Sequence, residues 1–286
     1  ELPFNSENID FCLVTHVHVD HIGRLPYMVK KGYSKPIYVT ETTSKLLPLA
    51  LNASFKVLNS VAKRKNVKCL YSDIDVANTL SLVKPCRYNE TIQVHENVKV
   101  TFLNNGHLIG ASLLLIQISC DGYEDINLLF TGDYNNKNMF FDVDPIPKWI
   151  LELPLTVIQE STYGDMDSSE ISKCFKENII KCVNNDGTVV ALVFSLGRAQ
   201  EILYELRNMQ KNGELDKSIP IYFDGKLAIK YTELYIKDGL NVKPEMREFL
   251  PENLTFVDKS SRSDVLEDIN KKIILTTSGM GSYGPA

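Results

Sequence analysis

Short apolar runs alternate with longer amphipathic stretches along almost the whole chain, and that rhythm restricts it to the α/β class. Residues 10–15 (DFCLVT) are nearly continuous in apolar character, as a buried strand is. From 21 to 31, Ile22, Leu25 and Val29 recur at near-helical spacing, and Gly32 follows as a stop signal. Residues 36–40 form another short strand, followed by a helical stretch from 42 to about 60. Residues 91–103 read as β-rich, and 111–120 pair with 126–131 through a turn carrying Asp121-Gly122. Residues 154–159 (PLTVIQ) read as one more buried strand.

After Thr162 the order changes to strand 188–194, helix 198–211, strand 219–223, helix 227–237 and strand 272–276. Such a βαβαβ series predicts a parallel, doubly wound unit with a sheet of its own. A length of 286 residues suits one large or two ordinary domains, and the change of rhythm favours two, residues 1–165 and 166–286.

Composition removes other classes. With 44% hydrophobic and 23% charged residues, the chain is neither disordered nor collagenous nor a coiled coil. Its best apolar run, 111–120, is interrupted by Gln117 and Ser119, too short and too polar for a membrane span. Lys and Arg total 31 against 36 acids, a net charge of −5, so any nucleic acid must be held by a local patch or a metal. The basic cluster Lys63-Arg64-Lys65, with Lys56 and Lys68 nearby, reads first as a solvated face and second as a strand-binding patch. Six cysteines without a C-x-x-C pair read as reduced thiols of a cytoplasmic protein, or a nuclear one in a eukaryote. The chain starts at Glu1, and both ends read as cut from something longer.

Directly after the first strand comes Thr15-His16-Val17-His18-Val19-Asp20-His21, which holds three of the five histidines. Imidazole and carboxylate are ligands for zinc and similar ions. Alternate residues of an extended segment point the same way, so His16 and His18 can face one ion. Asp20 and His21, on the turn into the helix, can face a second. His107, in Asn105-Gly106-His107, and Asp133, in Thr131-Gly132-Asp133, both follow apolar strands and complete the candidate ligand set. The last histidine, His95, has charged and polar neighbours and reads as a surface residue.

In this order His16, His18, Asp20, His21, His107 and Asp133 resemble the successive motifs of the metallo-β-lactamase fold. More narrowly, the chain resembles the β-CASP nucleases, a branch that includes RNase J and the endonuclease of the cleavage and polyadenylation complex. Three segments carry the narrower likeness: Glu160-Ser161-Thr162-Tyr163-Gly164, Ser195-Leu196-Gly197-Arg198-Ala199-Gln200-Glu201, and Thr277-Ser278-Gly279-Met280. The resemblance implies a metallo-β-lactamase αββα sandwich, incomplete at both ends, with an inserted parallel-sheet β-CASP domain. It implies two zinc ions, one on His16, His18 and His107 and the other on Asp20 and His21, with Asp133 bridging. The family's last histidine ligand and its catalytic histidine follow the inserted domain, and no histidine follows His107 here. Glu160 is implied to act with that catalytic histidine.

The expected function is hydrolysis of RNA, in processing or decay, by a hydroxide that two zinc ions activate. Asp20 is the expected proton acceptor as well as a ligand. Ser195 and Arg198 open a helix after a strand, where backbone N–H groups and a guanidinium suit phosphate, though an ordinary cap beside a surface arginine reads equally well. Lys226, after Asp224-Gly225, is a further candidate contact. Single-stranded RNA is the expected partner, with DNA as the alternative, and the assembly is a homodimer or an RNA-processing complex. Two rivals share the fold: a hydrolase of small esters or thioesters, and a non-catalytic scaffold subunit. The first leaves the second unit unexplained, and the second predicts broken ligand positions.

Overall fold

Period-two alternation of apolar residues sets the layering of the first part of the chain. The computed structural model describes residues 2–164, 169–237 and 240–277. By internal contacts the chain divides into two units, Glu1–Glu160 and Ser161–Ala286.

The first unit begins with β1 (Cys12–Leu13), α1 (Val19–Ile22), α2 (Leu25–Lys30), β2 (Ile37–Thr40), α3 (Glu41–Arg64), α4 (Asp73–Ser81) and β3 (Val83–Cys86). It continues through β4 (Thr91–His95), β5 (Val98–Asn104), β6 (Ser112–Ile118), β7 (Ile126–Phe130), α5 (Lys148–Leu151) and β8 (Leu155–Ile158). Strands β1, β2 and β3 form a parallel sheet, and β4 to β8 form a second sheet in sequence order. The second sheet is antiparallel as far as β7 and parallel between β7 and β8. Leu13, Tyr38 and Cys86 of the first sheet pack on Val100, Phe102 and Leu114 of the second. The opposite face of the second sheet, with Leu103, Leu113, Leu115 and Leu129, packs on Ile150 of α5. Helix α3 lies against β2 and β3. The layers therefore run helix, sheet, sheet, helix.

The start of α3 is tied to the loop that follows His107. Thr40 caps the helix by accepting a hydrogen bond from Thr43 N–H at 3.1 Å. The hydroxyls of Thr40 and Thr43 both donate to the Gly110 carbonyl, at 2.7 and 2.8 Å.

Four readings change in this unit. The strand expected over 10–15 is reduced to Cys12–Leu13, although backbone bonds from Cys12 N–H and Val14 N–H continue its pairing with residues 36–38. The helix expected over 21–31 is two helices, because Gly23 N–H closes the first turn onto Val19 O and a new helix starts after Arg24. Residues 154–159 do form a strand, β8, but not a buried one: Thr156, Val157 and Ile158 are exposed. The strand lies at the sheet edge with only β7 beside it, and α5 packs near Leu155 alone. Helix α4 and strand β3 appear where no element was expected. The capping box of Ser72 and Asp75 starts α4, and Pro85 is tolerated in β3 because that strand is an edge.

The second unit holds α6 (Ser169–Asn184), β9 (Thr188–Val193), α7 (Arg198–Lys211), β10 (Ile221–Asp224), α8 (Lys226–Ile236), β11 (Leu254–Val257), α9 (Arg262–Glu267) and β12 (Lys272–Thr277). Its strands are all parallel, in the order β11-β10-β12-β9. The expected βαβαβ series is present, with β11 and α9 added between α8 and β12. Ser278, Gly279 and Met280, cited for the family likeness, lie outside the described residues. No helix among the described residues is long and apolar enough to cross a membrane.

Candidate metal centre

Three strand ends bring the candidate ligands together. His16 and His18 follow β1, and His18, in extended backbone, is the residue that caps α1. His107 follows β5, and Asp133 follows β7. One donor atom from each of His16, His18, His107 and Asp133 lies within 4.8 Å of all the others. The Nε2 of His107 is 3.2 Å from Nδ1 of His18 and 3.4 Å from Oδ2 of Asp133. The Nε2 of His16 is 3.7 Å from the same carboxylate oxygen. The imidazoles crowd together at this spot as well, with the His16 ring 4.0 Å from that of His21 and tilted 47° to it.

His21 lies beside this group. Its Nε2 is 3.4 Å from Oδ1 of Asp133, the other oxygen of that carboxylate, and 3.5 Å from Oδ2 of Asp20. Asp20 is the outermost member, with its side chain 73% exposed. His16, His18, His107, Asp133 and His21 are thus brought together, and Asp20 borders them.

The contacts of His16 and His107 with the Asp133 carboxylate are not ion pairs near neutral pH. Burial, helped by His21, His18 and His107, pushes His16 down to about 2. Burial and His18 push His107 down to about 4, although Asp133 pulls it upward and Glu160 adds a weaker upward pull. Neutral imidazoles present lone pairs, which is the form a metal ion requires. The Nδ1 of His16 is 3.1 Å from the Thr15 hydroxyl. Its Nε2, in a side chain with no exposed surface, has no hydrogen-bond partner. A buried nitrogen left in that state costs free energy unless something else engages it. Neutral imidazoles converging on one carboxylate, around such a nitrogen, suit zinc or a similar divalent ion.

The backbone beneath the ligands is closely packed. Gly132 takes φ +55°, and a Cβ there would lie 2.9 Å from the Thr15 side chain. Glycine therefore lets the loop carrying Asp133 approach the segment carrying His16. The Ser112 hydroxyl donates to the Thr15 carbonyl at 3.1 Å, and Thr131 joins Gly132 to Glu160 through bonds of 2.8 and 3.3 Å. Glu160 is half-buried at the end of this unit, close enough to act electrostatically on His107. Sequence reading gave no role to Asn105, which bonds to both the His107 and Asp133 loops. Its one sequence signal is its place two residues before His107.

The remaining candidates lie in the second unit. Ser195 precedes α7, and its carbonyl accepts from Gln200 Nε2 at 3.3 Å. Gln200 is buried and organises this turn, accepting from Gly197 N–H at 2.8 Å and donating to the Thr232 hydroxyl at 2.9 Å. Arg198 is exposed and bonds Glu201 at 2.6 Å, one helical turn on. Lys226 is exposed at the first position of α8. His95 is exposed and bonds Asn97, as a surface residue does.

Known families divide the chain in the same order. A metallo-beta-lactamase superfamily domain matches residues 4–141, and a Beta-Casp domain matches residues 199–286. The transcription termination factor FttA of Methanosarcina mazei is 32% identical over 99% of this chain, which spans 45% of that protein. An RNase J-like protein of Methanocaldococcus jannaschii is 30% identical over the whole chain, which spans 64% of it. The endoribonuclease ysh1 of Schizosaccharomyces pombe is 30% identical over 99% of the chain, which spans 37% of it. The chain thus covers less than two thirds of the length of each of these relatives. With its ligand motifs on the first sandwich and a parallel sheet following, the chain belongs to the metallo-β-lactamase superfamily, in the branch that carries a Beta-Casp domain.

Proposed function

We propose that this chain carries the metal centre of a ribonuclease that hydrolyses phosphodiester bonds in single-stranded RNA. One observation supports this most: donor atoms of His16, His18, His107 and Asp133, from three separate strand ends, converge within 4.8 Å. Relatives named as an RNase J-like protein and an endoribonuclease support RNA as the substrate class.

Zinc is the ion this imidazole-rich set suits best. His16, His18 and His107 would hold one ion, Asp20 and His21 a second, and Asp133 would offer an oxygen to each. Bound divalent ions lower the pKa of water and offset phosphate charge. The chain's own residues then divide the rest of the work. His16 and His107, neutral near pH 7, would keep their lone pairs available to hold the ion in place. Asp20, exposed at the rim, accepts a proton from the attacking water. Glu160 shapes the field around His107 and would assist protonation of the leaving oxygen. Ser195, Arg198 and Lys226 are the proposed contacts to the RNA backbone, with Arg198 exchanging Glu201 for phosphate. Free cysteines fit a reducing compartment, cytoplasmic or nuclear, and the active assembly is a homodimer or part of an RNA-processing complex.

The test uses the full-length protein and a single-stranded RNA labelled at its 5′ end, with added Zn²⁺ or Mn²⁺. Asp20→Ala should lower the cleavage rate at least about 100-fold, the lower range for losing a positioned proton acceptor. Product sizes separate internal cutting from trimming at an end. Two bound metals per chain without cleavage would favour a hydrolase of small esters, and neither metal nor cleavage would leave a scaffold.

A further inference from the structure

Asn105 is 1% exposed, and both polar atoms of its side chain are used. Its Nδ2 donates to the Asp133 carbonyl at 3.0 Å and to the Thr131 carbonyl at 3.3 Å. Its Oδ1 accepts from the His107 N–H at 3.0 Å. One carboxamide thus grips the backbone of two candidate ligands.

The sheet leaves room for such a grip. Strand β6 lies between β5 and β7, so no ladder hydrogen bond joins the strand ends that precede His107 and Asp133. Their loops meet beyond the sheet, where Gly106 N–H also donates to the Asn135 carbonyl at 2.6 Å. That bond joins neighbours of the ligands, whereas Asn105 bonds the ligand residues themselves. A buried amide is well suited to this task, because it donates to carbonyls on one side and accepts from an N–H on the other.

We propose that Asn105 is a positioning residue that sets the separation of His107 and Asp133, and through it the geometry of the metal centre. The inference rests on the metal-centre reading above. Groups that orient metal ligands from behind change metal affinity by about 10- to 100-fold when removed. Alanine abolishes all three bonds. Aspartate keeps the acceptor for His107 N–H but turns an oxygen toward two carbonyls, so it retains one half of the grip.

The experiment measures Zn²⁺ affinity by chelator competition and the absorption spectrum of the Co²⁺-substituted full-length protein. It compares wild type, Asn105→Ala, Asn105→Asp and Thr101→Val. Thr101 is buried on β5, the strand that ends just before Asn105, where its hydroxyl bonds Thr91 at 2.7 Å, away from the ligand loops. Asn105→Ala should weaken Zn²⁺ binding about 10- to 100-fold and shift the Co²⁺ bands, with Asn105→Asp between it and wild type. Thr101→Val should lower the melting temperature and leave affinity and spectrum alone. If Asn105→Ala does not fold, Asn105→Asp carries the comparison by the same two readouts. Wild-type affinity and spectrum in the folded Asn105 variants would overturn the proposal, as would losses in Thr101→Val that match theirs. A wild-type protein that binds no metal would overturn the metal-centre reading together with this inference.

Discussion

At His16 and His107, burial has a measurable cost in acid. Both rings sit well below the ordinary value of 6.5, at about 2 and about 4. The unfolded chain therefore binds protons at these positions below pH 6.5 while the folded, metal-free protein does not. The sign follows: their contribution to stability is full above about 6.5 and falls as the pH drops from 6.5 towards 4. Each ring adds a slope of about 1.4 kcal/mol per pH unit within that window. Urea unfolding of the chelator-treated protein between pH 7.5 and 5 should show a midpoint that is level above about 6.5 and falls steeply below it. A midpoint unchanged across that range would contradict the burial argument. Residue types and spacing made His16 legible, because H-x-H-x-D-H after an apolar run is a pattern of chemistry as much as of fold, and His107 was legible beside it as a histidine closing a later apolar strand. Asn105 was not legible. An asparagine in a turn is ordinary, and only the folded backbone brings two distant carbonyls to its amide.

Helix α3 shows what one element does for the site. Its first turn is tied through Thr40 and Thr43 to Gly110, three residues beyond His107, so it helps to hold the ligand loop. Its last turn carries Lys63 and Arg64, with Lys65 as the C-cap, where positive charge complements the helix dipole. Twenty-four residues at about 1.5 Å each place the two ends roughly 36 Å apart. The basic cluster is therefore about a helix length from the proposed centre, beyond the reach of a very short substrate. The triple variant Lys63→Ala, Arg64→Ala, Lys65→Ala should cleave a trinucleotide at the wild-type kcat/KM. A loss on that substrate would mean that the cluster acts at the centre. Elements with strong local signals were legible, and α7 spans Arg198–Lys211 as its periodicity predicts. The exposure of β8 was not, because an apolar run gives no sign of whether both faces of its sheet are covered.

For the molecule as a whole, the candidate ligands all lie in Glu1–Glu160, while the parallel sheet of Ser161–Ala286 has its own core. Metal that binds the folded state should raise stability by about 2.7 kcal/mol at 100 times its dissociation constant. Calorimetry with and without chelator should therefore move the transition of the first unit and leave that of the second in place. Equal displacement of all the unfolding heat, or none, would contradict this assignment. A net charge of −5 is no obstacle to an RNA substrate if cations at the centre supply the local attraction. The sequence by itself determined the α/β class, the order of the two units and the identity of the candidate ligands, because periodicity and residue chemistry are local properties. Tertiary structure alone decided that three strand ends meet, that His16 Nε2 is buried without a hydrogen-bond partner, and that Asn105 links His107 to Asp133. Those facts depend on distances between residues far apart in the chain, and only strand pairing and the packing of the two sheets set such distances.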